Sequence, residues 1–241
     1  MTAVRRVLVA VPAYNEHATI ARVVGDIRAA VPEFDLLIVD DASSDGTSSI
    51  VAGLDVAVAT HLANLGYGRA LQTAIKYAER HGYDALVTLD ADGQHDPRDV
   101  RSVFDRFETG GYDLTLGSRF VESKSYRSEP WIRRGGMRVF SAVLRLLTGQ
   151  HVYDTSSGLK IIRSGVFELL TRRPFVDFHA EALVYLIKAG YAVGECPITA
   201  HRRRTGRSMY TPLSSIKYPL KVSFLIVLSA IEAAMMKRGV S

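Results

Sequence analysis

Asp90-Ala91-Asp92-Gly93-Gln94 sets two carboxylates two residues apart at the end of an apolar run, with a side-chain amide shortly after. In a turn, that spacing lets both carboxylates reach one hard cation, and Gln94 can add an amide oxygen. Mg2+ and Mn2+ take oxygen ligands and commonly share them with substrate phosphates. The plainer alternative is a solvated acidic turn, because Asp-x-Asp is a common tripeptide. Its position directly after a strand favours the cation.

A second acidic pair opens the segment Asp40-Asp41-Ala42-Ser43-Ser44-Asp45-Gly46-Thr47. Helix capping accounts for its later residues, with Asp45 or Ser44 expected at the N-cap. It does not account for Asp40 and Asp41. Adjacent carboxylates at a strand end repel unless donors or a cation stand near them, and a nucleotide base or ribose would supply such donors.

Arginines provide the complementary charge. Arg119 ends another apolar run, Arg133, Arg134, Arg138 and Arg145 recur along one predicted helix, and Arg202, Arg203, Arg204 and Arg207 cluster later. Guanidinium forks bind phosphate oxygens at two points. Most surface arginines are merely solvated, so strand-end Arg119 stands out. Several common sites are missing. Pro12-Ala13-Tyr14-Asn15-Glu16 replaces the Gly-x-Gly-x-x-Gly turn of a dinucleotide site, and neither a phosphate loop nor a Gly-x-Ser-x-Gly elbow occurs. Cys196 has no supporting residues that would make it a nucleophile.

These residues need elements that bring them together. Apolar runs at 7–13, 36–40, 56–60, 85–90 and 114–117 read as buried parallel strands. Helical spacing fills the gaps at 17–31, 46–53, 67–81 and 97–109, best seen in Ile20, Val23, Val24, Ile27 and Val31. The alternation predicts an α/β doubly wound sheet. Ligands in such sheets bind beyond the carboxyl ends of the strands. Tyr14-Asn15-Glu16, Asp40-Asp41, Asp90-Ala91-Asp92 and Gly117-Ser118-Arg119 all fall at those ends.

The second half is less regular. A polar loop at 123–130, a basic amphipathic helix at 132–148, a strand at 158–162, helices at 166–171 and 178–189, and a strand at 191–198 are expected. With no linker in sight, residues 1–211 read as one domain. Residues 212–241 form a C-terminal apolar segment whose core, 222–231, follows Lys217 and Lys221. A membrane span needs roughly 20 apolar residues. An in-plane interfacial helix, or one meeting a small membrane protein, therefore fits better than a span. Packing on the protein's own core is the alternative. The basic stretch 201–207 suits an anionic lipid surface.

Bulk composition agrees. The chain has 241 residues, 47% hydrophobic, a formal charge of +5 and a single cysteine. One domain of this size buries a sizeable core, an anionic partner is expected, and no internal disulfide is possible. The N-terminus shows no signal-peptide pattern. The expected location is cytoplasmic, peripheral on the inner face of the cell membrane. Aromatic residues do not interleave the basic clusters, which argues against nucleic acid.

Taken together, the motifs resemble family 2 glycosyltransferases of the GT-A fold, most nearly the polyprenyl-phosphate, dolichol-phosphate mannose synthase-like branch. The resemblance rests on Pro12–Glu16, Val39–Thr47, Asn64–Ala70, Asp90–Pro97, Gly117–Arg119, Asp154–Gly158 and Glu195–Ile198. It implies a Rossmann-like nucleotide-sugar fold with a mostly parallel sheet and Mg2+ or Mn2+ held by Asp90, Asp92 and Gln94. It also implies a donor site of Pro12, Tyr14, Glu16, Asp40, Asp41 and Asp90, with Arg119 facing the donor diphosphate. Arg138 and Arg203 would hold acceptor phosphate, and Asp92, Arg119, Arg138 and Glu181 would carry catalysis. The implied reaction is inverting transfer from a nucleotide sugar to a polyprenyl phosphate. A sugar hydroxyl acceptor, with Glu181 or Asp177 as base, and a non-catalytic nucleotide-sugar-binding protein are the alternatives. Gly206-Arg207-Ser208-Met209 departs from the branch, which often ends this loop in lysine; Arg204 or Arg207 is the candidate replacement. Met137 stands where many relatives carry Asn.

Overall fold

The computed structural model describes residues 5–121, 131–172, 175, 178–199, 224–233 and 235, without the side chains of 131–137. Arg203, Asp177 and the basic stretch 201–207 lie outside the described residues, as does the polar loop at 123–130 except for its neighbours.

Among the described residues, seven strands form one sheet in the order β3-β2-β1-β4-β6-β5-β7. They are β1 Val7–Ala13, β2 Asp35–Asp40, β3 Ala57–Thr60, β4 Ala85–Thr88, β5 Leu114–Ser118, β6 Lys160–Arg163 and β7 Val193–Pro197. β1 to β4 run parallel, β6 runs antiparallel to both β4 and β5, and β7 is parallel to β5. The helices are α1 Ile20–Ala30, α2 Thr47–Ala52, α3 Tyr67–Arg80, α4 Asp99–Gly110, α5 Trp131–Thr148, α6 Phe167–Thr171 and α7 Ala180–Ala189.

The sheet is buried on both faces, which is why its strands read as unbroken apolar runs. Val7, Val9 and Val11 point to one core with α1 and α4; Leu8 and Ala10 point to the other with α3, α6 and α7. Period-2 side chains on β1 thus face two apolar layers. Helical spacing does the rest: Ala70, Leu71, Ala74, Ile75 and Ala78 are the buried side of α3.

The strand order reverses between β1 and β4, and this switch point opens the crevice. β1 pairs with β4 only as far as Ala10↔Thr88, while it stays paired with β2 through Ala13↔Asp40. Proline in a central strand normally costs a ladder bond. Pro12 stands where β1 has lost one neighbour, so its missing N–H is tolerated. β4 likewise ends at Thr88, two residues earlier than its apolar run suggested, which puts Asp90 in the turn.

One expectation is corrected. The cap of α2 is Gly46, in the left-handed region at φ 91°, and not Asp45 or Ser44. Asp45 still serves the helix start, accepting from the Thr47 N–H at 3.0 Å. At the C-terminus, no helix among the described residues is long and apolar enough to cross a membrane. Residues 224–233 are helical, and Ile226, Ala230 and Ala233 pack into the core shared by α3 and α7. The opposite side is apolar and exposed, with Phe224, Val227, Leu228, Ile231 and Met235.

Candidate active site

The turns after β1 and β2 are tied to each other. Asn15, at φ 55°, donates its N–H to Ser43 Oγ at 3.0 Å, and its Oδ1 accepts the Ser44 N–H at 2.8 Å. The Glu16 N–H reaches Thr47 Oγ1 at 2.9 Å. Asp45 accepts from the His17 ring at 2.7 Å and from Thr47. Burial is the largest single influence and acts upward, but the bonds from Thr47 and His17 together outweigh it and hold the carboxyl well below the usual range.

Asp40 and Asp41 are buried at this junction. Asp40 accepts the Ser43 N–H at 3.1 Å and the Ser48 hydroxyl. Asp41 accepts the N–H groups of Leu65 and Gly66 at 2.9 and 2.8 Å and faces His61 Nδ1 at 2.6 Å. The donors that sequence reasoning assigned to a nucleotide thus come from the protein itself. Asp41 fixes the loop that opens α3, and Tyr14 is left exposed at the mouth of the crevice.

The Asp90 turn is built differently. Gly93 takes φ 71°, and the Gln94 N–H donates to Asp92 Oδ1 at 3.0 Å, which closes the turn. The Asp90 carboxylate lies against Gly158, whose hydrogen is required because a Cβ there would overlap Asp90. His95 Nε2 stands 3.6 Å from Asp90 Oδ2. Burial would raise the Asp90 pKa, but His95 and the Lys160 charge outweigh it and keep the group ionised.

Lys160 is buried beneath, donating to the Ser157 carbonyl. Burial pushes its pKa down to about 8 against the pull of Asp90 and Asp154. Arg119 follows β5 and makes a two-point pair with Asp154: Nε to Oδ2 at 2.7 Å and Nη2 to Oδ1 at 2.9 Å. Nη2 also meets Ser156 Oγ at 2.9 Å. Asp154 is in turn fixed by its own N–H, which donates to Glu195 on β7 at 2.9 Å. The fork expected on a phosphate is therefore occupied by a buried carboxylate. The cause is the returning 149–159 loop, which strand-end position does not reveal.

At the start of α7, Phe178 is buried at φ 54°, a strained conformation for a bulky residue. Its N–H donates to buried Glu181 at 3.4 Å. His179 stacks on Tyr67 of α3, ring centroids 5.3 Å apart. Burial and the nearby Lys160 push the His179 pKa down to about 3, so the ring is neutral near pH 7. Among the described residues, Tyr67 Oη, His179 Nδ1 and His95 Nδ1 are buried without a hydrogen-bond partner. Buried polar groups are nearly always paired, so such a group calls for a cause.

Comparison with known proteins decides the family. The family model "Glycosyl transferase family 2" matches residues 8–170. The chain is 32% identical over 215 residues to the polyprenol monophosphomannose synthase of Mycolicibacterium smegmatis, covering 85% of this chain and 80% of that protein. The chain belongs to glycosyl transferase family 2. It is 30% identical over 212 residues to the undecaprenyl-phosphate mannosyltransferase of Micrococcus luteus, covering 84% of this chain and 86% of that one. Its fold is that of the Mycobacterium tuberculosis glucosyl-3-phosphoglycerate synthase crystallised with Mn2+, UDP-glucose and glycerol 3-phosphate. The match has a TM-score of 0.64 at 22% identity and covers 95% of this chain and 80% of that one.

In this glycosyltransferase the strand ends do bring Tyr14, Glu16, Asp40, Asp41, Asp90 and Arg119 to one edge of the sheet. Arg138 is exposed on α5, the helix that packs against α7. Glu181 is buried rather than open. Sequence reasoning did not single out Tyr67, His95, Lys160 or His179. His95 lies within the Asp90–Pro97 motif and Tyr67 within the quoted Asn64–Ala70 segment; both signals were available. Lys160 sits in a plain strand, and His179 is a lone histidine, so neither carried one. Among the described residues, no group of three or more His, Cys, Asp or Glu gathers as a complete metal cage.

Proposed function

We propose that this enzyme transfers a sugar, with inversion, from a nucleotide-sugar donor to a polyprenyl phosphate, with Mg2+ or Mn2+ held by Asp90, Asp92 and Gln94. The observation that carries this reading is the turn at the switch point: an ionised Asp90 beside Asp92, ringed by buried polar atoms without partners. Oxygen donors fit a hard cation, and a site with two carboxylates leaves positions for substrate phosphate. When bound, the ion would neutralise charge on the leaving diphosphate.

The chain's own residues prepare that charge. His95 and Lys160 keep Asp90 deprotonated, and Gly158 lets the carboxylate approach its loop. The Arg119–Asp154 pair, locked by Glu195, holds a guanidinium at the end of β5 in a fixed orientation. Such preorganised charge is commonly the largest catalytic contribution. Tyr14 and Glu16 are assigned to the base and ribose of the donor, with Asp40 and Asp41 beside them; their shared position at the strand ends supports this. A phosphate acceptor is already ionised near neutral pH and needs cationic positioning, for which Arg138 and Arg203 are the candidates. The names of the relatives, both acting on polyprenyl-type acceptors, support the same acceptor class.

The enzyme is proposed to work from the cytoplasmic face of the membrane as a peripheral protein, with 1–211 as the catalytic domain and 212–241 as its contact with lipid or a small membrane protein. The exposed apolar side of residues 224–235 supports this. A panel of nucleotide sugars with Mg2+ or Mn2+ and a polyprenyl phosphate tests the reading. Formation of a lipid-linked sugar of anomeric configuration opposite to the donor is expected. No transfer from any donor, or transfer only to sugar hydroxyls, would overturn it.

A further inference from the structure

The backbone of Tyr67 is set from outside the Asp90 turn. Asp41 holds the N–H groups of Leu65 and Gly66, and Gly66 adopts φ 88° to launch α3. The plane of the ring is set by His179, stacked at an interplanar angle of 21°. Both constraints direct a phenol whose hydroxyl is buried and makes no hydrogen bond. Asp90 and Asp92 are its charged neighbours, and a phenol carries its proton near neutral pH. The hydroxyl lies beside the Asp90 carboxylate without forming a hydrogen bond of normal geometry to it, so its proton is placed to meet an oxygen that arrives with a ligand. The same holds around it: His179 Nδ1 and His95 Nδ1 are buried without partners.

We propose that Tyr67 is a substrate-binding residue whose hydroxyl donates to an oxygen brought in with the divalent ion, either a donor-diphosphate oxygen or an ion-bound water. The inference deepens the proposed function and rests on it. A hydroxyl unsatisfied in the ligand-free protein costs stability there and returns it on binding. Replacing it with hydrogen therefore separates a binding role from a packing role.

The test titrates Mn2+ alone, and Mn2+ with inorganic pyrophosphate, into the wild type, Tyr67→Phe and Asp92→Asn by calorimetry. Thermal melting of each metal-free protein accompanies it. Tyr67→Phe is expected to melt at or above the wild-type temperature and to bind about tenfold more weakly, a single hydrogen bond's worth. Loss in both arms assigns the acceptor to ion-bound water; loss only with pyrophosphate assigns it to a phosphate oxygen. Wild-type affinity in both arms would overturn the proposal, and so would a weaker affinity accompanied by a lower metal-free melting temperature. Asp92→Asn distinguishes the two levels. If it binds Mn2+ and pyrophosphate like the wild type, the metal reading fails and this inference fails with it. If it loses binding while Tyr67→Phe does not, only the inference fails.

Discussion

After β2, Asp40 and Asp41 are buried and take their hydrogen bonds from Ser43, Ser48, Leu65, Gly66 and His61. After β4, Asp90 and Asp92 face Tyr67, with unpartnered nitrogens of His95 and His179 nearby. Both turns hold an acidic pair at a strand end, yet around the second, among the described residues, buried polar atoms of neighbouring side chains have no hydrogen-bond partner. A saturated carboxylate organises backbone; an incompletely partnered surround is a place for a ligand. The Arg119–Asp154 pair is likewise held by the protein, with Ser156 and Glu195 bonded to its two members.

The largest effect should come from breaking that ion pair. Arg119→Met strands a buried Asp154 and should lower unfolding free energy by about 3–5 kcal/mol, whereas Arg119→Met with Asp154→Leu should recover much of it. Urea unfolding of the two variants checks this. Recovery without regained transfer would show that the pair also serves the reaction.

Next, Asp41→Ala removes the acceptor of two backbone N–H groups and should cost about 2–4 kcal/mol in the same assay. Asp92→Ala should change stability by less than about 1 kcal/mol while transfer falls at least about 100-fold. Equal destabilisation by the two alanines would erase the distinction between the turns.

The smallest effect is a pH dependence. The His179 pKa is lowered to about 3 from an ordinary 6.5, so the folded protein binds fewer protons than the unfolded chain between those values. Its contribution is complete above pH 6.5 and declines as the pH falls. Between pH 7 and pH 5 the wild type should lose up to about 2 kcal/mol that His179→Phe does not lose. Melting curves at the two pH values read it directly, and parallel losses would place the acid sensitivity elsewhere.

Much of the fold was legible beforehand. β1 has the predicted bounds of 7–13, and the helices through α4 fall within a few residues of their apolar spacing. Their edges differ where pairing, not hydropathy, ends the element, as at Thr88. The Asp90 turn was legible because strand-end position and residue type agree. The partners were not. Asp41 finds its donors 24 and 25 residues away, and Arg119 meets an aspartate 35 residues on. No local spacing encodes such meetings.

By itself, the sequence determined the alternation of strand and helix, the acidic turns at the strand ends and the family to which they belong. Side-chain period and turn chemistry act over a few residues, and both are written locally. Only the tertiary structure decided which carboxylates bind the backbone, which lysine is buried near Asp90, and which hydroxyl is buried without a hydrogen-bond partner. Those outcomes depend on which groups lose water together, and desolvation is a property of the packed chain.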